Sequence, residues 1–207
     1  EKVVGTSIYQ QKSKAGGDST PGTGPDYPMY YVSWDEAMEF CRLLSNKTGR
    51  TYTLPTEAQW EYAARGGQLS RGYKYPGSNN PDEVAWTNNN SDRYELHEVK
   101  LLKPNELGLY DMAGNVAEWN STVYVESGVE SMSDMNTDLK YNAAKEDHYR
   151  LKRKSVRGGS WKDPESLIRS AWRGYEYQNQ PRSYVGFRCV RTMISDTRGT
   201  SSRGRKK

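Results

Sequence analysis

The sequence predicts an irregular α+β domain with two short helices, small antiparallel sheets and much loop. Three observations carry that prediction. Two capping boxes, Ser33-x-x-Glu36 and Thr56-x-x-Gln59, each open a stretch with apolar residues at helical spacing. Nineteen Gly and nine Pro among 207 residues cut the rest into short runs. Only 34% of residues are hydrophobic and the mean hydropathy is −1.01. Sixteen Tyr and six Trp must therefore carry much of the burial, as rings that need hydrogen-bond partners.

Taken in order, residues 1–27 are rich in Gly, Ser, Thr and Pro and read as a linker or extended loop. A domain over residues 28–192 follows, with a strand-like lead-in to Val32. The first helix starts at the Ser33 cap, places Trp34, Ala37, Met38, Cys41 and Leu44 on one face, and ends near Gly49. The second follows Leu54-Pro55 and stops at Gly66-Gly67, with Ala58, Trp60, Tyr62 and Ala63 as its apolar face. Residues 68–95 are loop around an expected anchor, Trp86, and residues 95–102 read as a strand. From Gly108 to Trp119 a short apolar strand (Leu109, Tyr110, Met112) breaks at Gly114-Asn115 and restarts at Val116. Residues 123–154 form a polar, charged insertion, long enough to be either a partner contact or a solvated loop. Short strands with turns over 155–161, 166–177 and 183–190 complete the domain, and 193–207 is a basic tail expected to be disordered.

Charge excludes one class of partner. The formal net charge is +4, but Arg198, Arg203, Arg205, Lys206 and Lys207 all fall in the tail, and without them the remainder is near −1. The folded part is not a basic nucleic-acid surface. No apolar run approaches the ~20 residues that span a bilayer. Glu1 is not an initiator Met, and the chain reads as a segment of something longer.

The chemistry is concentrated at the Gly114-Asn115 break. Glycine lets carbonyls turn to one side, and Asn115 and Glu118 add side-chain oxygens, which is the donor type a hard cation such as calcium selects. The alternative is an ordinary turn with Asn115 bonding backbone and Glu118 in water. Cys41 and Cys189 are either two solitary buried thiols or a pair. His97 and His148 stand in no metal-ligand spacing, and neither Gly-Gly pair stands in a phosphate-cradling context.

Three ordered motifs carry a resemblance: Val32-Ser-Trp-Asp-Glu-Ala leading to Leu54-Pro-Thr-Glu-Ala-Gln-Trp-Glu-Tyr-Ala-Ala-Arg-Gly-Gly67, then Gly108-Leu-Tyr-Asp-Met-Ala-Gly-Asn-Val-Ala-Glu-Trp119, then Val156-Arg-Gly-Gly-Ser-Trp161 closed by Gly186-Phe-Arg-Cys189. Together they resemble the formylglycine-generating enzyme, or sulfatase-modifying factor, family. The resemblance implies an irregular C-type-lectin-like α+β fold whose N-terminal part lies upstream. It implies a structural calcium ion at Gly114, Asn115, Val116 and Glu118, and leaves a first calcium site near residues 84–92 open. It also implies a Cys41–Cys189 disulfide and hence an oxidising compartment. The family's enzymes hold copper(I) between two thiolates, a soft-ligand site, at positions occupied here by Asp163 and Ile168. Ser160 and Trp119 remain from that pocket, but the resemblance implies no copper and no catalysis.

The segment from Lys152 to Arg188, with Leu151-Lys-Arg-Lys-Ser-Val-Arg-Gly-Gly-Ser-Trp-Lys-Asp163, Tyr175-Glu-Tyr-Gln-Asn-Gln180 and Arg182-Ser-Tyr-Val-Gly-Phe-Arg188, resembles a cysteine-less branch found in Bacteroidota, which includes lipoproteins of the gliding-motility and type IX secretion machinery. The long insertion, here residues 120–156, and the basic Gly/Arg tail are similar to that branch too. That likeness implies a lipoprotein on the periplasmic face of the outer membrane, anchored upstream of this chain. It further implies protein transport through a ring built by self-association with a periplasmic partner resembling GldN/PorN, and no nucleic acid. Tyr, Trp and Arg dominate interface energetics, so the interface candidates are Trp172, Arg173, Tyr175, Tyr177, Arg182 and Tyr184, with core packing as the alternative. A ligand-binding C-type-lectin-like module, a receptor or variable protein, is the second reading, and a formylglycine-generating copper oxidase the third.

Overall fold

The structure is a computed structural model that describes residues 3–17, 21–91, 95–126 and 153–192. The bulk of the 123–154 insertion, Asp92, His148 and the 193–207 tail lie outside the described residues.

Helix α1 spans Ile8–Ala15, α2 Trp34–Thr48 and α3 Glu57–Ala64. Both expected capping boxes form: Ser33 Oγ accepts from Glu36 N while Glu36 Oε2 accepts from Ser33 N, and Thr56 and Gln59 exchange the same pair. Left-handed Gly49 (φ 66°) closes α2. Helix α1 corrects the reading of residues 1–27 as linker or loop. It carries its own capping box, Ser7 with Gln10, but no apolar stripe. Gln11 is its one buried residue, and Ile8 and Ala15 lean on the Tyr30–Tyr31 cluster.

The strands are β1 (Tyr52–Thr53), β2 (Ala117–Val123), β3 (Arg153–Arg157), β4 (Gly174–Tyr177), β5 (Val185–Gly186) and β6 (Val190–Arg191). β1 pairs with β6, and a four-stranded sheet runs β4-β3-β2-β5. Its β2–β5 pair is parallel, so the sheet is mixed and not purely antiparallel. Residues 95–102 form no strand. Their amides bond out to loop, Leu96 N to Pro21 O and Val99 N to Asp26 O, and Lys100 is left-handed (φ 69°). Residues 109–112 likewise form no strand, and β2 begins only after the Gly114-Asn115 bend.

Every residue of β2 is buried. One side meets Val32, Ala37, Cys41, Leu54, Val156 and Val185 around Trp119, whose Nε1 donates to Val32 O at 2.8 Å. Ala37 and Cys41 are therefore the buried face of α2, with Trp34 and Met38 packed against it, as the spacing predicts. Helix α3 differs from its predicted face. Glu57, Trp60 and Ala64 are buried while Tyr62 is 57% exposed. The reason is charge. Arg157 on β3 is fully buried and donates to Glu57 Oε1 (3.1 Å), Glu61 Oε2 (2.8 Å) and Ser170 O (2.6 Å), so α3 turns its acidic stripe inward. A buried charge demands such partners.

Candidate binding surface and the Gly114–Glu118 loop

Gly114 (φ 66°) and Asn115 (φ 58°) form a left-handed bend. A Cβ at Gly114 would lie 2.1 Å from Trp86 O, so only glycine allows this approach. Asn115 then bonds in four directions. Its N–H donates to Trp86 O and its carbonyl accepts from Trp161 N (both 2.9 Å). Its amide brackets the main chain of His97, accepting from His97 N (3.2 Å) and donating to His97 O (3.1 Å). His97 is thereby held flat on the Trp86 ring, 3.7 Å between centroids and 5° between planes. This histidine, which the sequence marks only as standing in no metal-ligand spacing, is a locked part of the bend.

Glu118 is paired with an arginine. Both its oxygens accept from Arg188, Nε to Oε2 and Nη2 to Oε1 (2.6 Å each), and Oε2 also accepts from Trp60 Nε1 (2.6 Å). The same Nη2 donates to Tyr110 O (3.1 Å) and Asp111 O (3.2 Å). Three residues thus converge their oxygens on this guanidinium, and of them only Glu118 belongs to the expected metal-ligand set. Of the expected ligands Gly114, Asn115, Val116 and Glu118, both side chains with oxygens are engaged, and calcium at Glu118 would have to draw it away from Arg188. Asp111, which the sequence reading passed over, lies beside this site with positive φ (53°). Burial pushes its carboxyl up, the Lys100 N–H (2.8 Å) and Arg188 pull it down, and Glu118 adds to the rise.

The expected cysteine pair is brought together. Cys41 and Cys189 are thiols with sulfurs 3.4 Å apart across 148 residues of sequence. Their hydrogen bond and burial push Cys41 up, while the same bond holds Cys189 below the usual thiol range.

At the two positions where the family's thiolates are expected, Asp163 Oδ2 accepts from both Ser160 N (2.9 Å) and Ser160 Oγ (2.7 Å), and Ile168 is fully buried. Ser160 and Trp119 have no exposed surface. A carboxylate bonded to Ser160 and a core isoleucine packed with Tyr75, Val84, Ala85 and Ala113 thus stand where the thiolates are expected. Among the described residues no group of three His, Cys, Asp or Glu could hold a metal ion.

The interface candidates divide. Arg173 faces inward, Nε and Nη2 on the two oxygens of Glu57 (2.7 and 2.9 Å) and Nη1 on Val125 O. Trp172 is half-buried over Gly174. Arg182 donates to Glu176 (3.2 Å) and Gln180, and Tyr184 donates to Glu176 (2.6 Å) beneath Lys162 Nζ, which lies 3.1 Å from its ring centre. Burial pushes Tyr184 up, and Glu176 adds to it. Tyr175 is the open one, 40% exposed. It contacts Tyr124 (4.9 Å) and Tyr177 (6.1 Å), with the Arg153 guanidinium 4.6 Å from its ring and 5.8 Å from that of Tyr177. Tyr124 and Arg153 lie at the two ends of the 123–154 insertion and were not among the interface candidates. The pairing of Arg153 with Tyr177 across β3 and β4 is what puts them here.

A family model for the sulfatase-modifying factor enzyme 1-like domain matches residues 3–193. The chain is 35% identical over 153 residues to chaperone protein LppX of Paenibacillus barcinonensis, which covers 50% of this chain and 55% of the relative. It is 29% identical over 196 residues to the formylglycine-generating enzyme of Bos taurus, covering 88% of this chain and 48% of the relative. The inactive Cα-formylglycine-generating enzyme 2 of Bos taurus is 33% identical over 117 residues, covering 50% of this chain and 37% of that protein. The chain thus spans about half the length of the first two. Among solved structures, Treponema denticola variable protein 1 superposes with a TM-score of 0.65 at 24% identity, covering 89% of this chain and 81% of that one, a likeness of fold.

Proposed function

The chain belongs to the sulfatase-modifying factor enzyme 1-like domain family, and we propose that this member is non-enzymatic and works through protein–protein contacts. The finer reading is a structural component of a periplasmic ring of the type IX secretion and gliding machinery, resembling the lipoprotein GldK/PorK. In it the chain is anchored to the outer membrane from upstream, self-associates and binds a partner resembling GldN/PorN. One observation carries the non-enzymatic part: at the thiolate positions a carboxylate, Asp163, is bonded to Ser160, and Ile168 is sealed in the core. Copper(I) needs soft sulfur donors, and Cys41 and Cys189 are engaged with each other. The family also holds proteins named inactive, which accords with a member that keeps the fold alone.

The surface supports contact. Tyr175 and Tyr177 on the edge strand β4, Arg153 on the neighbouring β3 and Tyr124 just after β2 form an aromatic and cationic patch, the residue types that anchor protein interfaces. The same patch favours a second reading, a ligand-binding module of the C-type-lectin-like kind, because the fold is shared with a variable protein.

The test is the size of the full-length protein extracted from its native membrane in mild detergent. A large ring with one stoichiometric partner, weakened by Tyr175→Ala, is the expected result. A partnerless monomer would overturn the ring and favour the ligand-binding module. Copper(I) bound at one equivalent after alkylation of both cysteines would overturn the non-enzymatic reading.

A further inference from the structure

A cleft of about 650 Å³ lies between α1 and the body of the domain, away from the tyrosine patch and from Ser160. Its floor is Met29, Val32, Phe40 and Phe187, the two phenylalanines meeting edge to face at 5.2 Å. Val4, 47% exposed, forms an apolar lip. Small-molecule sites have this volume and this balance of apolar wall to a few placed polar groups.

Two carboxylates stand on the rim, and they are not equivalent. Glu39 has both oxygens on Arg42 (2.6 Å each). Glu36 spends Oε2 on the Ser33 N–H, which fixes the carboxylate to the start of α2, and offers Oε1 to the ammonium of Lys14 on α1. Burial pushes Glu36 up, but the bonds from Lys14 and Ser33 outweigh it and hold it below the ordinary carboxylate range, so it is an anion at neutral pH. The Lys14 side chain is 69% exposed, and an exposed ion pair of a long flexible side chain is weak and readily exchanged.

We infer that this cleft binds a small amphipathic amine, its apolar body on Phe40, Phe187, Met29 and Val32 and its ammonium on Glu36 in place of Lys14. The fixed anion at the mouth of an apolar cleft sets the class of ligand, and Lys14 marks where its cation goes. Neutral apolar molecules of the same body lack the group that Glu36 would pair.

The test uses the full chain and dansylcadaverine, a naphthalene fluorophore with a primary amine, against dansylamide, which lacks the amine. The expected result is saturable fluorescence enhancement at one equivalent of dansylcadaverine. Glu36→Gln, which keeps the capping box because Gln serves at that position, should weaken it about tenfold, the loss of roughly one charge-assisted bond. Lys14→Met should tighten it severalfold by removing the competing ammonium. Dansylamide should respond to neither change. Absence of saturable binding, an unchanged affinity in Glu36→Gln with native circular dichroism, or weaker binding in Lys14→Met would each overturn the assignment.

Discussion

Replacing Glu57 with Gln probes the buried charges that hold the tyrosine surface in place. Glu57 is 1% exposed and accepts from Arg157 (3.1 Å) and from two nitrogens of Arg173 (2.7 and 2.9 Å). Removing one member of a buried ion pair costs about 3–5 kcal/mol, because the partner charge stays buried and unpaired. Here Arg157 keeps Glu61 and Ser170 O, and Arg173 is 20% exposed and can turn toward water, so the loss belongs at the lower end, about 3 kcal/mol. For a domain of this length that corresponds to about 6–12 °C in Tm. Urea unfolding measures the free energy directly, and a cycle with Arg173→Gln isolates the pair. The coupling should be about 1–3 kcal/mol, as for residues in contact within one network. Amide exchange in β4 should quicken, since Arg173 tethers that strand's start to α3. A loss under about 1 kcal/mol, or additive single and double variants, would refute the claim that this cluster fixes the surface.

Three further outcomes follow from the site geometry. The Tm should be equal in EDTA and in excess calcium, because Arg188 already occupies Glu118; a calcium-dependent rise abolished by Glu118→Gln would restore the ion to this loop. Asp111→Asn should stabilise the protein at neutral pH. A carboxyl raised in the folded state disfavours folding once ionised, and that cost is present at pH above its folded pKa and gone below its unfolded value of about 4. Urea midpoints at neutral pH and below about pH 4 should therefore show the gain vanish on acidification, and a gain that persists in acid would refute it. Mild oxidation should give one Cys41–Cys189 crosslink by non-reducing mass spectrometry and raise stability by about 2–5 kcal/mol. Two free thiols after oxidation would remove the argument for an oxidising compartment.

What was legible in the sequence was local. The capping boxes of α2 and α3 announce themselves within four residues, and Ala37 and Cys41 are placed by helical spacing alone. Helix α1 has the same box, Ser7 with Gln10, but without an apolar stripe the periodicity was silent. The inward face of α3 was illegible for a different reason. Glu57 and Glu61 look like solvated acids until Arg157 and Arg173, some hundred residues on, are brought to them. The same holds at Glu118. Its motif marks an acid after a glycine bend, but whether that acid meets a metal or a guanidinium depends on Arg188, 70 residues away. In sequence Asp163 stands only where a thiolate is expected; that it bonds Ser160 depends on the turn the two share.

The buried charges also support the tyrosine surface independently of Ser160 and Asp163. Arg157 on β3 joins α3 through Glu57 and Glu61, and Glu57 in turn holds Arg173 at the start of β4. Tyr175 and Tyr177 are thus carried on a strand anchored from beneath by ion pairs that involve neither Ser160 nor Asp163. Asp163 is bonded to Ser160 and Ile168 packs with Tyr75, Val84, Ala85 and Ala113, a cluster separate from these ion pairs. Substituting Asp163 by Ala should expose Ser160 Oγ to an unpaired state, costing about 1–3 kcal/mol, yet leave amide exchange in β4 unchanged. Quickened exchange at Tyr175 in that variant would mean that the Ser160–Asp163 turn and the tyrosine surface are one unit.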